Sequence, residues 1–140
     1  MTLGQLPVWA TELIAAARVG HLALLDDDDR PRVLPVTFAL AEGAVWSAID
    51  EKPKRSPLPA RVRWLERRPE AALCVDRYDD DWSRLAWVQI LGRIEVLELD
   101  SEPVAAEALR SKYRQYRERT PPGPLLRLGV DRALCWRAAD

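Results

Sequence analysis

The stretch that decides the fold is HLALLDDDDRPRVLPVTFALAEGAVWSAI, residues 21–49. It contains three runs with strand-like composition, at 21–25, 30–40 and 44–49. The acidic run DDDD and the short segment AEG lie between these runs and predict turns. Three successive strands joined by short turns favour antiparallel pairing.

The rest of the chain adds helices on either side of further strands. Trp9, Leu13 and Ala17 are spaced four apart and predict an amphipathic helix over residues 8–18. The remaining predicted elements are a helix over 60–68, a strand over 71–78, a long strand over 84–99 with a bend or bulge at Gly92, a helix from about 100 to 119 and a last strand or pair of strands over 125–136. The order α-β-β-β-α-β-β-α-β argues against a doubly wound parallel sheet and predicts a mainly β, antiparallel barrel with helices at its ends, as one domain over 1–140.

Composition excludes several classes of protein. The chain has 140 residues, with 21 basic against 22 acidic side chains, so no overall positive field points to nucleic acid. No apolar stretch reaches the ~20 residues of a membrane span, and the N-terminus does not resemble a signal peptide, so we expect a cytoplasmic protein. A single histidine and no cysteines at ligand spacing predict no metal site.

Positive charge is nonetheless concentrated locally, in IDEKPKRSPLPARVR at residues 49–63. Lys52, Lys54, Arg61 and Arg63 lie on a connector stiffened by prolines that leads into a predicted helix start. Such a segment offers cationic donors and free backbone N–H groups to a phosphate. A solvated basic loop with no ligand remains the alternative from these residues alone.

Two other residues are candidates for a site. Pro35 interrupts a strand and cannot donate to a ladder, which predicts an edge or bulge where neighbouring backbone groups can face a ligand. Trp82 follows an acidic loop and predicts packing against a ligand ring, a partner subunit or the edge of the core.

Taken in order, four segments resemble a known family: GHLALLDDDDRPRVLPVTFAL, VWSAIDEKPK, RRPEAALCVDRYDDDWS and VQILGRIEVL. They are similar to the pyridoxamine 5'-phosphate oxidase-like, flavin-binding split-barrel group, and most of all to its branch that uses the deazaflavin coenzyme F420. The resemblance covers roughly residues 8–137. It implies a six-stranded antiparallel split β-barrel with short flanking helices, which forms a homodimer with a cofactor at the subunit interface.

The resemblance also implies a set of cofactor-binding residues. The phosphate end would be held by basic residues, and the ring would lie beside the second and third strands, with an aromatic residue from the other subunit near it. The matching positions are Lys52, Lys54 and Arg61 with Arg63 as a helper, then Pro35, Val36 and Thr37, then Ser47, Ala48, Ile49 and Asp50, and finally Trp82. Trp64 stands where many relatives have an asparagine, and the connector carries extra prolines.

The function expected from the resemblance is an F420-dependent oxidoreductase that transfers a hydride between F420 and a small organic substrate. No catalytic residue stands out, because such a cofactor carries the chemistry itself; Thr37 is one candidate proton donor. The alternatives are an FMN-dependent oxidase or reductase of the same fold, a non-catalytic protein that binds or carries a cofactor, and a dimeric stress-response protein that binds none.

Overall fold

Seven strands form a single antiparallel sheet in a computed structural model that describes residues 1–50 and 59–139. Their order across the sheet is β2-β1-β5-β6-β7-β4-β3. The strands are β1 (Gly20–Leu25), β2 (Pro31–Val36), β3 (Ala39–Ala41), β4 (Ala44–Ala48), β5 (Glu70–Arg77), β6 (Ala86–Leu97) and β7 (Leu125–Arg137). The helices are α1 (Val8–Ala16), α2 (Ala60–Arg67), α3 (Pro103–Lys112) and α4 (Arg114–Glu118), with short 3₁₀ turns at Leu3–Gln5, Trp82–Arg84 and Leu99–Ser101.

The predicted strand over residues 30–40 is two strands, which is why the sheet has seven strands and not six. β2 ends at Val36 and pairs with β1, whereas β3 begins at Ala39 and pairs with β4. Between them, the Phe38 N–H donates to the Tyr113 hydroxyl, and the Thr37 carbonyl accepts from the Ser47 hydroxyl. The polar groups of this link are satisfied by side chains, so the ladder stops without leaving them unpaired.

The same link closes the sheet into a barrel. β2 and β3 are the two outermost strands of the sheet, yet only Thr37 and Phe38 separate them in sequence. Three Cα–Cα steps of about 3.8 Å keep Val36 and Ala39 within about 11 Å of each other. The two edges of the sheet must therefore approach one another at this link, as the barrel prediction required.

Pro35 lies in β2, opposite His21 of β1. β2 is an edge strand, so the missing N–H of proline costs no ladder hydrogen bond on the open side. The prediction of an edge position for Pro35 is confirmed.

The interior of the barrel is apolar and fully enclosed. Ile14 of α1, Phe38, Leu73 of β5 and Ile90 of β6 are each 2% exposed or less. A second apolar cluster lies between the β3–β4 hairpin and helices α3 and α4, and contains Trp46, Leu109, Tyr113, Tyr116 and Leu125. Burial on this scale is the main favourable term in folding.

The β6–β7 ladder carries the irregularity that was predicted at Gly92. Its register shifts between Leu91 and Gly92, where Asp131 of β7 has no partner in β6, which marks a β-bulge. A Cβ built on Gly92 would lie 1.7 Å from the carbonyl oxygen of Gly129, so only glycine allows the two strands to approach this closely.

The helix predicted from about 100 to 119 is divided at Tyr113. This residue is extended, with φ −119° and ψ 117°, and separates α3 from α4. Val104, which the pattern assigned to the apolar face, is 55% exposed. The extended Tyr113 directs its hydroxyl to the backbone of Arg18 and Phe38, and this tertiary contact overrides the helical periodicity.

Helix α2 is held by the acidic turn between β1 and β2. Arg63 contacts Asp27 at 2.8 Å, and Asp29 accepts from Arg67 at 3.0 Å and from Arg68 at 2.9 Å. The contacts from Arg67 and Arg68 lower the pKa of Asp29, chiefly through the hydrogen bond from Arg67. The run DDDD is thus a charged turn, as predicted, and it places the start of α2 against the barrel.

No helix within residues 1–50 and 59–139 is long and apolar enough to cross a membrane.

Candidate functional site

A small cavity opens at the link between β2 and β3. It has a volume of about 150 Å³. We call it the Thr37 cavity, and its lining residues are Pro35, Val36, Thr37, Ser47, Ala48, Asp50 and Arg61. The end of β2, the end of β4 and the first turn of α2 each contribute one part of this lining.

A chain of three hydrogen-bonded side chains forms one wall of the site. The Tyr116 hydroxyl donates to Asp50 Oδ2 at 2.9 Å and lies 2.7 Å from the Thr37 hydroxyl. Because the single phenolic proton is given to Asp50, the Thr37 hydroxyl is the donor to Tyr116. Burial, with the nearby Asp50 carboxylate, raises the pKa of Tyr116 to about 12, so the phenol stays protonated at neutral pH.

Tyr113 supports the other side of the link. Its hydroxyl accepts the Phe38 N–H at 3.0 Å and can donate to the carbonyl of Arg18 at 2.9 Å or of Phe38 at 3.1 Å. The rings of Tyr113 and Tyr116 meet edge to face, with centroids 5.6 Å apart. The two tyrosines therefore fix the conformation of residues 37 and 38 from one short segment.

Two larger clefts adjoin the Thr37 cavity. The Tyr113 cleft, of about 370 Å³, is lined by Arg18, Thr37, Asp50, Tyr113, Gln115 and Tyr116. A neighbouring cleft of about 340 Å³ is lined by Asp50, Gln115, Tyr116, Arg119 and the residues 120–122. Asp50 lines all three, so they adjoin one another, and we call the three together the groove. Each of the two larger clefts reaches the 300–1,000 Å³ scale of small-molecule sites.

The structure gathers seven of the predicted cofactor residues around the Thr37 cavity. These are the seven lining residues named above. Ile49, which was also predicted, is 1% exposed, and its N–H and carbonyl are bonded to the backbone of Pro124 and Gly123. Ile49 consequently anchors the end of β4 rather than offering backbone groups to the cavity.

The other predicted residues lie elsewhere. Lys52 and Lys54 fall outside the described residues. Arg63 is exposed and contacts Asp27, and it is not part of the cavity lining. Trp82 lies in the 3₁₀ turn between β5 and β6, is 68% exposed, and was expected to meet the cofactor of the other subunit. The roles of these four residues stay predictions.

Sequence reasoning missed Arg18, Tyr113 and Tyr116, which line this groove, and Lys112, which lies beside the Tyr113 ring. The two tyrosines were assigned to the apolar face of a helix, and their hydroxyl partners are 66 to 95 residues away in sequence. The sequence carried one signal of these contacts. A buried phenol needs a hydrogen-bond partner, so two tyrosines on a helix face where apolar residues would suffice indicate polar partners.

The fold and the site together define a split-barrel protein with a polar groove at the strand break. A sequence model of the pyridoxamine 5'-phosphate oxidase family matches residues 10–137, and the chain belongs to this family. No match was found among curated proteins.

Solved structures with the same fold differ in what they bind. A conserved hypothetical protein from Mycobacterium tuberculosis has a TM-score of 0.76 at 16% identity, covering 96% of this chain and 86% of that one. An FAD-binding protein from Mesorhizobium loti has a TM-score of 0.69 at 20% identity, covering 93% and 94%. The heme storage protein HutZ from Vibrio cholerae has a TM-score of 0.69 at 15% identity, covering 91% and 90%. At these identities the likeness establishes the fold alone.

The lining of the Thr37 cavity fits the phosphate end of a flavin-type cofactor. Arg61 supplies a guanidinium that suits an anionic group. The Thr37 and Ser47 side chains also line the cavity, but their hydroxyl protons are donated to Tyr116 and to the Thr37 carbonyl. Pro35, Val36 and Ala48 supply apolar contact. At about 150 Å³ the cavity is too small for a complete cofactor, so the remainder would need the adjoining clefts or a second subunit.

Proposed function

We propose that this chain is an oxidoreductase that binds a phosphorylated flavin-type cofactor, with the deazaflavin coenzyme F420 as the first candidate. The observation that carries the proposal is the Thr37 cavity. Its lining combines a cationic side chain, two hydroxyls and an apolar strand edge at the position where the family resemblance puts the cofactor. The flavin-binding relative from M. loti supports the same class of ligand.

The work is divided between the protein and the cofactor. When bound, the reduced cofactor supplies a hydride for an electrophilic centre of a small organic substrate. Arg61, with Lys52 and Lys54 of the connector, holds the phosphate end. Pro35 and Val36 offer a flat apolar edge to the ring. The Thr37 hydroxyl, which donates to Tyr116, offers its oxygen as an acceptor beside that edge.

F420 is preferred over FMN because of the basic connector. FMN ends in one phosphate, whereas F420 carries a longer anionic tail. Residues 52–63 contain five basic side chains (Lys52, Lys54, Arg55, Arg61 and Arg63), which is more positive charge than one phosphate requires. FMN remains the alternative cofactor for the same cavity.

A second candidate function is that of a non-catalytic cofactor carrier. Relatives of the same fold include the heme storage protein from V. cholerae and a heme binding protein from Mycobacterium smegmatis. A carrier would bind its cofactor without turning over a substrate.

We also propose that the active form is a homodimer. Trp82 is 68% exposed in the single chain, and Tyr78 of the same loop is exposed to the same extent. Exposed aromatic residues are enriched at protein interfaces, and a partner subunit would bring Trp82 toward the neighbouring groove.

The test is a titration of the purified protein with F420 and with FMN, followed by intrinsic tryptophan fluorescence. Tight binding of F420 and weak or absent binding of FMN is the expected result. Arg61→Ala should weaken binding by about 1–3 kcal/mol, the scale for losing a charge-assisted hydrogen bond. Arg30→Ala is the matched control, because Arg30 is exposed and pairs with Asp28 in the acidic turn.

Three outcomes separate the hypotheses. Binding of neither cofactor would overturn both the F420 and the FMN proposals. Unchanged affinity in Arg61→Ala would remove the phosphate assignment. Binding of F420 without turnover of the reduced cofactor across a broad panel of electrophiles would favour the carrier.

A further inference from the structure

Two cationic side chains adjoin one aromatic ring at the Tyr113 cleft. The guanidinium carbon of Arg18 lies 4.8 Å from the centroid of the Tyr113 ring. The Lys112 ammonium lies 5.5 Å from the same centroid and 3.8 Å from that of Phe38. Arg18 follows α1 and Lys112 ends α3, so the fold brings together charges that are 94 positions apart in sequence.

Neither cation is paired with a carboxylate in the part of the chain that the structure describes. Over residues 1–50 and 59–139, no carboxylate lies within 4.0 Å of Arg18 or Lys112, although ten other ion pairs form there. Asp50, the acidic residue that lines the same cleft, accepts a hydrogen bond from Tyr116. The Arg18 side of the cleft is therefore the cationic side.

Lys112 is in an environment that disfavours its charge. Burial, together with the positive charge of Arg18, lowers the pKa of Lys112 to about 8. The faces of Phe38 and Tyr113 attract the ammonium, and this attraction offsets only part of the loss of hydration. An oxyanion placed between the two cations would offset both the burial and the mutual repulsion.

We propose that the Tyr113 cleft binds an oxyanion group, carboxylate or phosphate, of a small organic substrate, with Arg18 and Lys112 as its cationic partners. The inference rests on the proposed function in that the bound acid would be the substrate of the cofactor held at the Thr37 cavity. The volume of about 370 Å³ suits a small organic acid.

The position of the cleft suits this role. Arg61 lines the Thr37 cavity and Arg18 lines the Tyr113 cleft, while Thr37 and Asp50 line both. Two separate cationic positions thus lie along one groove and share the Thr37 hydroxyl. One serves the phosphate end of the cofactor, and the other holds the acid group of the substrate near the shared residue.

The test compares a carboxylate with its uncharged amide of the same shape. Benzoate, benzamide and inorganic phosphate are titrated into ¹⁵N-labelled full-length protein, and amide shifts are followed by NMR. The variants are Lys112→Met and Arg18→Gln, which remove the charge and keep an unbranched side-chain stem. Arg114→Gln is the matched control, because Arg114 is 78% exposed and contacts Glu118 at the surface.

Benzoate should shift the amides of residues 18, 37 and 112–116, and benzamide should bind at least about tenfold more weakly. Each cleft variant should weaken benzoate binding about ten- to hundredfold, while Arg114→Gln leaves it unchanged. If inorganic phosphate shifts the same amides and competes with benzoate, both oxyanions bind at one site.

The proposal is overturned if benzoate causes no shifts, if benzamide binds equally well, or if Lys112→Met and Arg18→Gln bind benzoate as the unaltered protein does. Titrating the unaltered protein with F420 and FMN separates this result from the proposed function. Absence of cofactor binding with benzoate selectivity intact would refute the cofactor, and cofactor binding without benzoate selectivity would refute the substrate subsite.

Discussion

Tyr116 shows how much of the site depends on a single hydroxyl. It links Thr37 at the break between β2 and β3 with Asp50 at the end of β4. Removing this hydroxyl would leave the half-buried Thr37 hydroxyl without its acceptor, whereas the exposed Asp50 carboxylate could be hydrated. Tyr116→Phe should therefore lower the free energy of unfolding by roughly 1–3 kcal/mol.

Urea unfolding of Tyr116→Phe checks this expectation. Tyr78→Phe is the control, since Tyr78 is 68% exposed and should tolerate the change. Equal stability of both variants would show that the three-residue chain adds nothing to the fold.

The lowered pKa of Lys112 leads to a prediction about how the stability of the protein changes with pH. Its pKa of about 8 in the folded chain is below its ordinary value of 10.5, so between these values the unfolded chain binds more protons. Stability should then rise with pH across this window. Tyr116 acts in the opposite sense but only above its ordinary value of 10.0, because its pKa is raised to about 12. Burial also raises the pKa of Cys74 above its ordinary value of 9.0, which opposes the effect of Lys112 from about pH 9, so the contribution of Lys112 is isolated by comparison with a variant that lacks its charge.

The measurement is denaturant unfolding of the unaltered protein and of Lys112→Met from pH 8 to 10. The unaltered protein should gain stability relative to the variant as the pH rises. Parallel pH profiles would mean that the ammonium is fully hydrated in the folded chain.

At the level of an element, Gly92 of β6, opposite the bulge in β7, has no room for a side chain. A Cβ at Gly92 would overlap the Gly129 carbonyl oxygen in the neighbouring strand, and backbone cannot move aside as a flexible side chain can. Gly92→Ala should cost about 3 kcal/mol, at the upper end of the range for overpacking.

Thermal unfolding of Gly92→Ala, with Gly4→Ala as control, tests the close approach of β6 and β7. Nothing lies within 4 Å of a Cβ built on Gly4, so that change should be nearly neutral. If Gly92→Ala unfolds at the same temperature as the control, the two strands do not approach as closely as described.

At the scale of the whole molecule, the sequence predicted what is local. The antiparallel barrel, the edge position of Pro35 and the bulge at Gly92 each follow from a short pattern or one unusual residue. The division of the strand at Thr37 and Phe38 could not be predicted this way. It depends on Tyr113 and Tyr116, which lie 75 and 79 positions away along the chain.

The same distinction between local and long-range signals applies to the residues of the candidate site. The residues at the ends of β2 and β4 came from the family resemblance and meet at one cavity. Arg18 and Lys112 carried no local signal, because an isolated arginine after a helix and a lysine at a helix end are ordinary surface residues. Only the folded chain shows that both adjoin Tyr113.

The strand order has a consequence for synthesis on the ribosome. β4 is bonded only to its own hairpin partner β3 and to β7, whose paired residues, 125–129, are about 80 positions further along the chain. Ser47, Ala48 and Asp50 therefore cannot join the rest of the groove until the last strand has emerged. A chain released before residue 125 would retain β1, β2, β5 and β6 but would have no assembled cofactor cavity.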